Sequence, residues 1–154
     1  MKKITNLLML LAMVLFVACE KTIDTTEPTL EVKSHNLDGV WQLKELNGSS
    51  LANGTYVYLV LDRKYTYEIY QNVASMYPVM YSGDYELEYD WRVGDIISGT
   101  YDYGVGAWDH EYVITDLYKD SMVWTAKDDS TYVQKFVRIE KVPAEIVDAV
   151  RKDE

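Results

Sequence analysis

The segment MYSGDYELEYD, from Met80 to Asp90, alternates between apolar or small residues and polar, mostly acidic ones. Successive side chains of a β-strand point to opposite faces, so this period of two predicts a half-buried strand. A helix would scatter both kinds of residue around its circumference. The inner face of the predicted strand carries Tyr81, Gly83, Tyr85, Leu87 and Tyr89. Its outer face carries Asp84, Glu86, Glu88 and Asp90.

Similar short runs, separated by turn residues, lie on both sides of this segment. The eight predicted strands are residues 40–46, 56–61, 65–71, 80–90, 95–103, 111–117, 121–126 and 131–139. At about eight strands, a closed barrel has an interior just wide enough for side chains or one small ligand. We therefore predict an all-β fold, a single eight-stranded antiparallel up-and-down barrel. Pro143 then begins a short C-terminal helix, whose apolar stripe is expected to pack on the outside of the barrel.

The amino-terminal 18 residues have the organisation of an export signal. Lys2 and Lys3 precede an apolar run over residues 7–18, which is shorter than the roughly 20 residues of a membrane-spanning helix. The sequence FVAC at residues 16–19 resembles the lipobox of bacterial lipoproteins, with Phe16 where Leu is usual. The resemblance implies that residues 1–18 are a lipoprotein signal peptide and that Cys19 carries the membrane anchor, a diacylglyceryl group with an acyl chain such as palmitate. The expected location is the outer membrane or cell surface of a Gram-negative bacterium.

Composition limits the remaining possibilities. Cys19 is the only cysteine, so no internal disulfide can stabilise the domain. Residues 19–36 are predicted to be a lipidated flexible tether, and residues 37–154 form the barrel domain. With 25 acidic and 15 basic residues, the net charge is −10, which argues against nucleic acid as a partner. The 14 tyrosines against two phenylalanines favour β-structure and aromatic surfaces that tolerate water.

Three short motifs resemble those of the lipocalins and occur in the same order. Gly-Val-Trp at residues 39–41 is similar to the Gly-x-Trp motif of the first lipocalin strand. Thr-Asp-Leu-Tyr at residues 115–118 is similar to the Thr-Asp-Tyr motif, with Leu117 in place of the tyrosine. Arg138 matches the arginine near the end of the last strand. The resemblance implies that Arg138 stacks on Trp41 to close one end of the barrel.

A lipocalin-like barrel implies a small amphipathic or hydrophobic ligand in its interior. The residues predicted to bind it are Val57, Leu59, Leu61, Tyr81, Gly83, Tyr85, Leu87 and Tyr89, an apolar set with several hydroxyls. Tyrosine rings could equally fill such an interior. The alternative function is then a surface interaction module with a filled barrel. It would bind glycan or protein through the loop aromatics Trp91, Tyr101, Tyr103 and Trp108.

The sequence offers little that could catalyse a reaction, so the protein is predicted not to be an enzyme. His35 falls in the tether, and His110 begins a strand in which Asp109 and Glu111 cannot both share its face. We expect a solvated His110; an enzyme would instead hold it buried against a carboxylate. No phosphate-binding loop and no metal-ligand spacing of His and Cys occurs, so no cofactor or metal is expected.

Overall fold

The computed structural model describes residues 27–151 except Ala74 and Met76. The predicted signal peptide and Cys19 lie outside the described residues. The helices are α1 (Ser34–Leu37) and α2 (Ala144–Arg151). The strands are β1 (Gly39–Leu46), β2 (Ser49–Ser50), β3 (Val57–Leu61), β4 (Thr66–Gln71), β5 (Val79–Asp90), β6 (Gly94–Tyr101), β7 (Gly106–Ala107), β8 (Tyr112–Thr115), β9 (Ser121–Ala126) and β10 (Val133–Ile139).

Eight of these strands form a closed antiparallel barrel, which confirms the predicted fold class. The order around the barrel is β1, β3, β4, β5, β6, β8, β9 and β10, and β10 pairs with β1 to close it. The two-residue strands β2 and β7 pair only at the margins, with β1 and β6. Since each main strand pairs with the next main strand along the chain, the barrel has up-and-down topology.

Two strands end earlier than the alternation of the sequence predicts. Strand β8 stops at Thr115 because Asp116 adopts a left-handed backbone conformation with φ of 49°. Strand β6 stops at Tyr101 because residues Asp102–Gly104 form a 3-10 turn. The sequence pattern alone would allow each strand to continue, and the turn after Tyr101 or Thr115 determines where it ends.

The inward residues fill one half of the barrel, at the end where β1 begins and β10 ends. We call this the closed end. Leu37, Trp41, Leu61, Ile97 and Met122 are each 1% exposed or less. Burying an aliphatic or aromatic side chain of this kind stabilises a fold by roughly 1.5–3 kcal/mol. The closed half therefore contains the core.

Arg138 and Trp41 seal the closed end. They are cross-strand partners in the β1–β10 ladder, and the guanidinium lies 4.0 Å from the centroid of the indole ring. The guanidinium donates hydrogen bonds to the carbonyl oxygens of Asp38 at 2.5 Å, Asn36 at 2.7 Å and Lys119 at 2.7 Å. The Trp41 Nε1 donates to the Leu37 carbonyl at 2.8 Å. Helix α1 is thereby fixed across the floor of the barrel.

The packed domain begins earlier than residue 37, the boundary predicted from the sequence. The Leu30 amide donates to the Leu117 carbonyl oxygen at 2.7 Å, and the side chains of Leu30 and Val32 pack against the core. The alternation of Leu30, Glu31 and Val32 was the available signal. Of the predicted tether, residues 30–36 thus belong to the closed end of the barrel domain.

Helix α2 lies against the outer face of the barrel. Its Ile146 side chain is 8% exposed. Burial raises the pKa of the Tyr58 phenol in β3, and the charge of the nearby Glu145 carboxylate raises it further. Tyr58 alternates with the inward residues of β3, so it faces outward. Its burial there follows from the covering helix.

Candidate functional site: a cavity at the open end

The interior of the barrel is open at the end opposite to Trp41. There Val73 and residues of the connections 47–56, 102–111 and 127–132 surround a cavity of about 430 Å³. One wall is aliphatic, with Leu43, Val57, Leu59 and Ile69. The other is aromatic, with Trp108, Tyr112, Trp124, Tyr132 and Phe136. The barrel is therefore filled in its closed half and hollow in its open half.

Three of the residues predicted to bind a ligand line this cavity, namely Val57, Leu59 and Tyr81. Leu61 and Tyr85 instead lie in the filled core, each 1% exposed, and Leu87 packs against that core. Tyr89 is 69% exposed near the β5–β6 turn. The alternation of a strand fixes which face a side chain points to, but not its height in the barrel. Strand β5 has 12 residues, and its inner face extends past the cavity and the core.

Gly83 makes room for protein atoms rather than for a ligand. A Cβ atom at this position would overlap the Thr100 carbonyl oxygen of β6 and lie within 3.0 Å of the Tyr67 ring. The Tyr67 hydroxyl donates to that same carbonyl oxygen at 3.2 Å. Burial raises the pKa of Tyr67 to about 12. The glycine therefore permits a close approach of β5, β6 and an inward tyrosine.

The aromatics predicted as an external platform are distributed over different parts of the molecule. Trp91 is 82% exposed in the β5–β6 turn at the closed end, and Tyr103 is completely exposed at the open end. Trp108 lies inside the barrel: its indole ring occupies the space that a side chain on Gly99 would fill, and its amide donates to the Gly99 carbonyl at 2.8 Å. Trp91, Tyr103 and Trp108 thus form no single stacking surface.

Trp124 is the centre of the aromatic wall, and the sequence reasoning did not select it. Its ring centroid lies 5.9 Å from that of Trp108, 5.4 Å from that of Tyr112 and 5.1 Å from that of Phe136. The signal was the alternation of Met122, Trp124 and Ala126 in β9. These separations are typical of favourable aromatic pairs.

Two buried hydrogen-bond donors in this wall lack a well-formed hydrogen bond. The Nε1 atoms of Trp108 and Trp124 are shielded from solvent; Trp124 Nε1 has no partner among the described residues, and Trp108 Nε1 lies near the Tyr67 hydroxyl without a hydrogen bond of good geometry. Trp124 as a whole is 3% exposed. An unsatisfied buried donor costs about 1–3 kcal/mol of folding free energy. An otherwise apolar wall thus contains polar groups that the fold itself leaves unused.

His110 is held at the rim of the cavity, whereas the sequence analysis expected a solvated side chain. Its Nδ1 lies 2.7 Å from a carboxylate oxygen of Asp128, and its ring packs against Tyr132 with centroids 5.1 Å apart. The imidazole is 26% exposed. A carboxylate can orient a histidine for acid–base chemistry. No serine or threonine hydroxyl is hydrogen-bonded to this ring within the described part of the chain.

The described residues form no metal site and no membrane-spanning helix. Within residues 27–151, leaving out 74 and 76, no group of three or more His, Cys, Asp and Glu side chains is arranged to hold a metal ion. None of the helices described is both long enough and apolar enough to cross a membrane.

No protein-family model and no curated protein sequence matches this chain. Its class therefore follows from its own architecture. It is a closed eight-stranded antiparallel barrel with a sealed floor and a hollow, aromatic-walled mouth.

Proposed function

We propose that the chain is a lipid-anchored protein of the cell envelope whose barrel binds a small amphipathic or hydrophobic molecule. The observation that carries this proposal is the cavity of about 430 Å³ in the open half of the barrel. Small-molecule sites are commonly clefts of roughly 300–1,000 Å³ lined by apolar and aromatic side chains with a few polar groups. A binding role is proposed rather than a catalytic one, because the walls are mostly apolar and the polar groups lie near the rim.

The amphipathic character of the ligand follows from the gradient along the barrel axis. Phe136 and Leu59 lie deepest and are 3% and 2% exposed. Asp109, His110 and Gln71 border the same cavity nearer the mouth. An apolar body pointing inward with a polar head at the rim would match this order.

The proposed anchor is compatible with access to the mouth. Leu30 is fixed at the closed end by its bond to Leu117, so the segment on the amino-terminal side of the barrel joins it at that end. In a lipidated protein, the anchor would then be attached at the end opposite to the mouth.

Ligand binding is tested with a chain that lacks residues 1–19, since the core and floor contacts found here lie within residues 30–151. Titration with the neutral fluorophore N-phenyl-1-naphthylamine should give a saturable rise in emission with one site per chain. Ile69→Trp should abolish the rise because the ring fills the cavity. Glu68→Trp adds the same ring to the outer face of β4 and should leave it unchanged. Absence of saturable binding to the unsubstituted barrel would refute the proposal.

The anchor is tested separately with the full precursor expressed in a Gram-negative host. Wild-type protein should partition into the detergent phase of solubilised membranes, and Cys19→Ala should remain in the aqueous phase. A wild-type chain that is processed yet stays aqueous would contradict lipidation and leave the binding proposal intact.

A further inference from the structure

We propose that the cavity prefers an amphiphile with a cationic head group and discriminates against carboxylates. The inference rests on the proposed binding function and specifies the chemistry of the ligand. It depends on the charges at the mouth and on the aromatic rings beside them.

The cavity lining contains a carboxylate but neither of the two strongly basic side chains. Asp109 contributes the carboxylate, His110 contributes an imidazole, and no lysine or arginine among the described residues lines the cavity. No ion pair to Asp109 is found in the part of the chain that the structure describes. An incoming carboxylate would lose hydration without gaining a cationic partner, and it would meet a charge of its own sign.

The loops around the mouth add further negative charge. Asp102, Asp128 and Asp129 belong to these loops, and Lys127, which precedes Asp128 in sequence, lies 2.7 Å from the carboxylate of Glu111. His110, which also borders the cavity, is paired with Asp128. A cleft bordered by one sign of charge concentrates the opposite charge at its entrance.

The aromatic wall suits the same head group. The faces of tryptophan and tyrosine rings attract cations, most strongly where water is excluded. Tyr101 and Tyr112 border the cavity beside Asp109: burial raises the pKa of both phenols, and the Asp109 charge raises each further. The carboxylate and two neutral rings are therefore close neighbours in one corner of the mouth.

The experiment compares three ligands with the same body: dodecylamine, dodecanol and dodecanoate, each below its micelle-forming concentration at pH 7. Each displaces N-phenyl-1-naphthylamine from the chain that lacks residues 1–19. The amine should compete at roughly tenfold lower concentration than the alcohol, equivalent to about 1.4 kcal/mol, and the carboxylate should compete least. Added salt should reduce the difference between the amine and the alcohol because it screens the charges at the rim.

Substitutions then localise the preference. Asp109→Asn should bring the amine and the alcohol within about threefold of each other, and Asp109→Lys should make the carboxylate the strongest competitor. Glu140→Gln removes the same charge at the closed end and should leave the ranking unchanged. Circular dichroism checks that the variants remain folded, and the near-isosteric Asn variant keeps the test valid if the Lys variant does not fold.

The outcomes separate this inference from the proposal on which it rests. If all three compounds displace the fluorophore equally, the preference for a cationic head is wrong while binding in the barrel stands. If the amine keeps its roughly tenfold advantage over the alcohol in Asp109→Asn, the inference is also wrong. If the fluorophore itself does not bind, the proposed function fails first.

Discussion

Removing the guanidinium of Arg138 should destabilise the protein more than removing any exposed charge at the same end. The side chain joins β10, β1 and the segment that precedes β1, through three carbonyl acceptors and the face of Trp41. Arg138→Ala deletes all of these contacts at once. Arg63→Ala is the matched control, since Arg63 pairs with Asp38 at 2.6 Å at this end and is 68% exposed.

The magnitude follows from the kinds of contact that are lost. Hydrogen bonds involving a charged group each contribute about 1.5–3 kcal/mol. The bonds to Asn36 and Asp38 are only half-buried, so water replaces part of them. A cation over an indole adds about 0.5–2 kcal/mol. We expect Arg138→Ala to lower the free energy of unfolding by ~2–4 kcal/mol, and Arg63→Ala to lower it by less than ~1 kcal/mol.

The assay is urea denaturation followed by circular dichroism, which does not depend on the tryptophan being replaced. Trp41→Ala alone should cost about 3–5 kcal/mol, because it truncates a fully buried aromatic. The double variant Trp41→Ala with Arg138→Ala should lose at least ~0.5 kcal/mol less than the sum of the losses in the two single variants, because the effects of residues in contact are not additive. Strict additivity, or an Arg138 effect no larger than that of Arg63, would refute the proposed closure.

Two further predictions concern the filled half of the barrel. Gly83→Ala should lower the free energy of unfolding by ~1–3 kcal/mol in the same assay, because its Cβ would overlap the Thr100 carbonyl oxygen. The affinity for the fluorophore should stay the same. If the stability is unaffected, β5 and β6 do not approach closely at this position. Burial raises the pKa values of Tyr67 and Tyr85 to about 12. The folded chain therefore keeps phenolic protons that the unfolded chain loses above pH ~10. The free energy of unfolding should consequently fall as the pH rises from about 10 to 12. Urea titrations across this range should show a shallower fall in the double variant Tyr67→Phe and Tyr85→Phe, and an equally steep fall would contradict the assignment.

The barrel was predictable because its strands alternate in sequence. Residues 80–90 show the alternation most clearly, and strand β5 forms at Val79–Asp90 with Gly83 and Tyr85 buried and the intervening acidic residues exposed. Local periodicity is a property of the strand itself, so a single sequence is sufficient to reveal it. Closure of β10 on β1 then follows from the number and spacing of the strands.

The composition of the site could not be predicted from the same pattern. The sequence pattern groups Trp108 with Trp91 because both lie between predicted strands. It enters the barrel because Gly99, on the neighbouring strand, leaves space for its ring. The pair His110–Asp128 likewise joins two different loops. Such contacts depend on which loops meet at one end of the barrel, and periodicity along one strand contains no information about that.

The two ends of the barrel are stabilised by different interactions, and this separation gives each experiment its own readout. At the closed end, Arg138 and Trp41 make directional hydrogen bonds to backbone carbonyls and close over a filled core. At the open end, the aromatic wall borders a cavity, so the side chains there make fewer contacts with other protein atoms. Regions with few buried contacts contribute less to the stability of a fold. Substitutions on the floor should therefore change stability with little effect on ligand affinity. Substitutions at Asp109 should change ligand preference with little effect on stability.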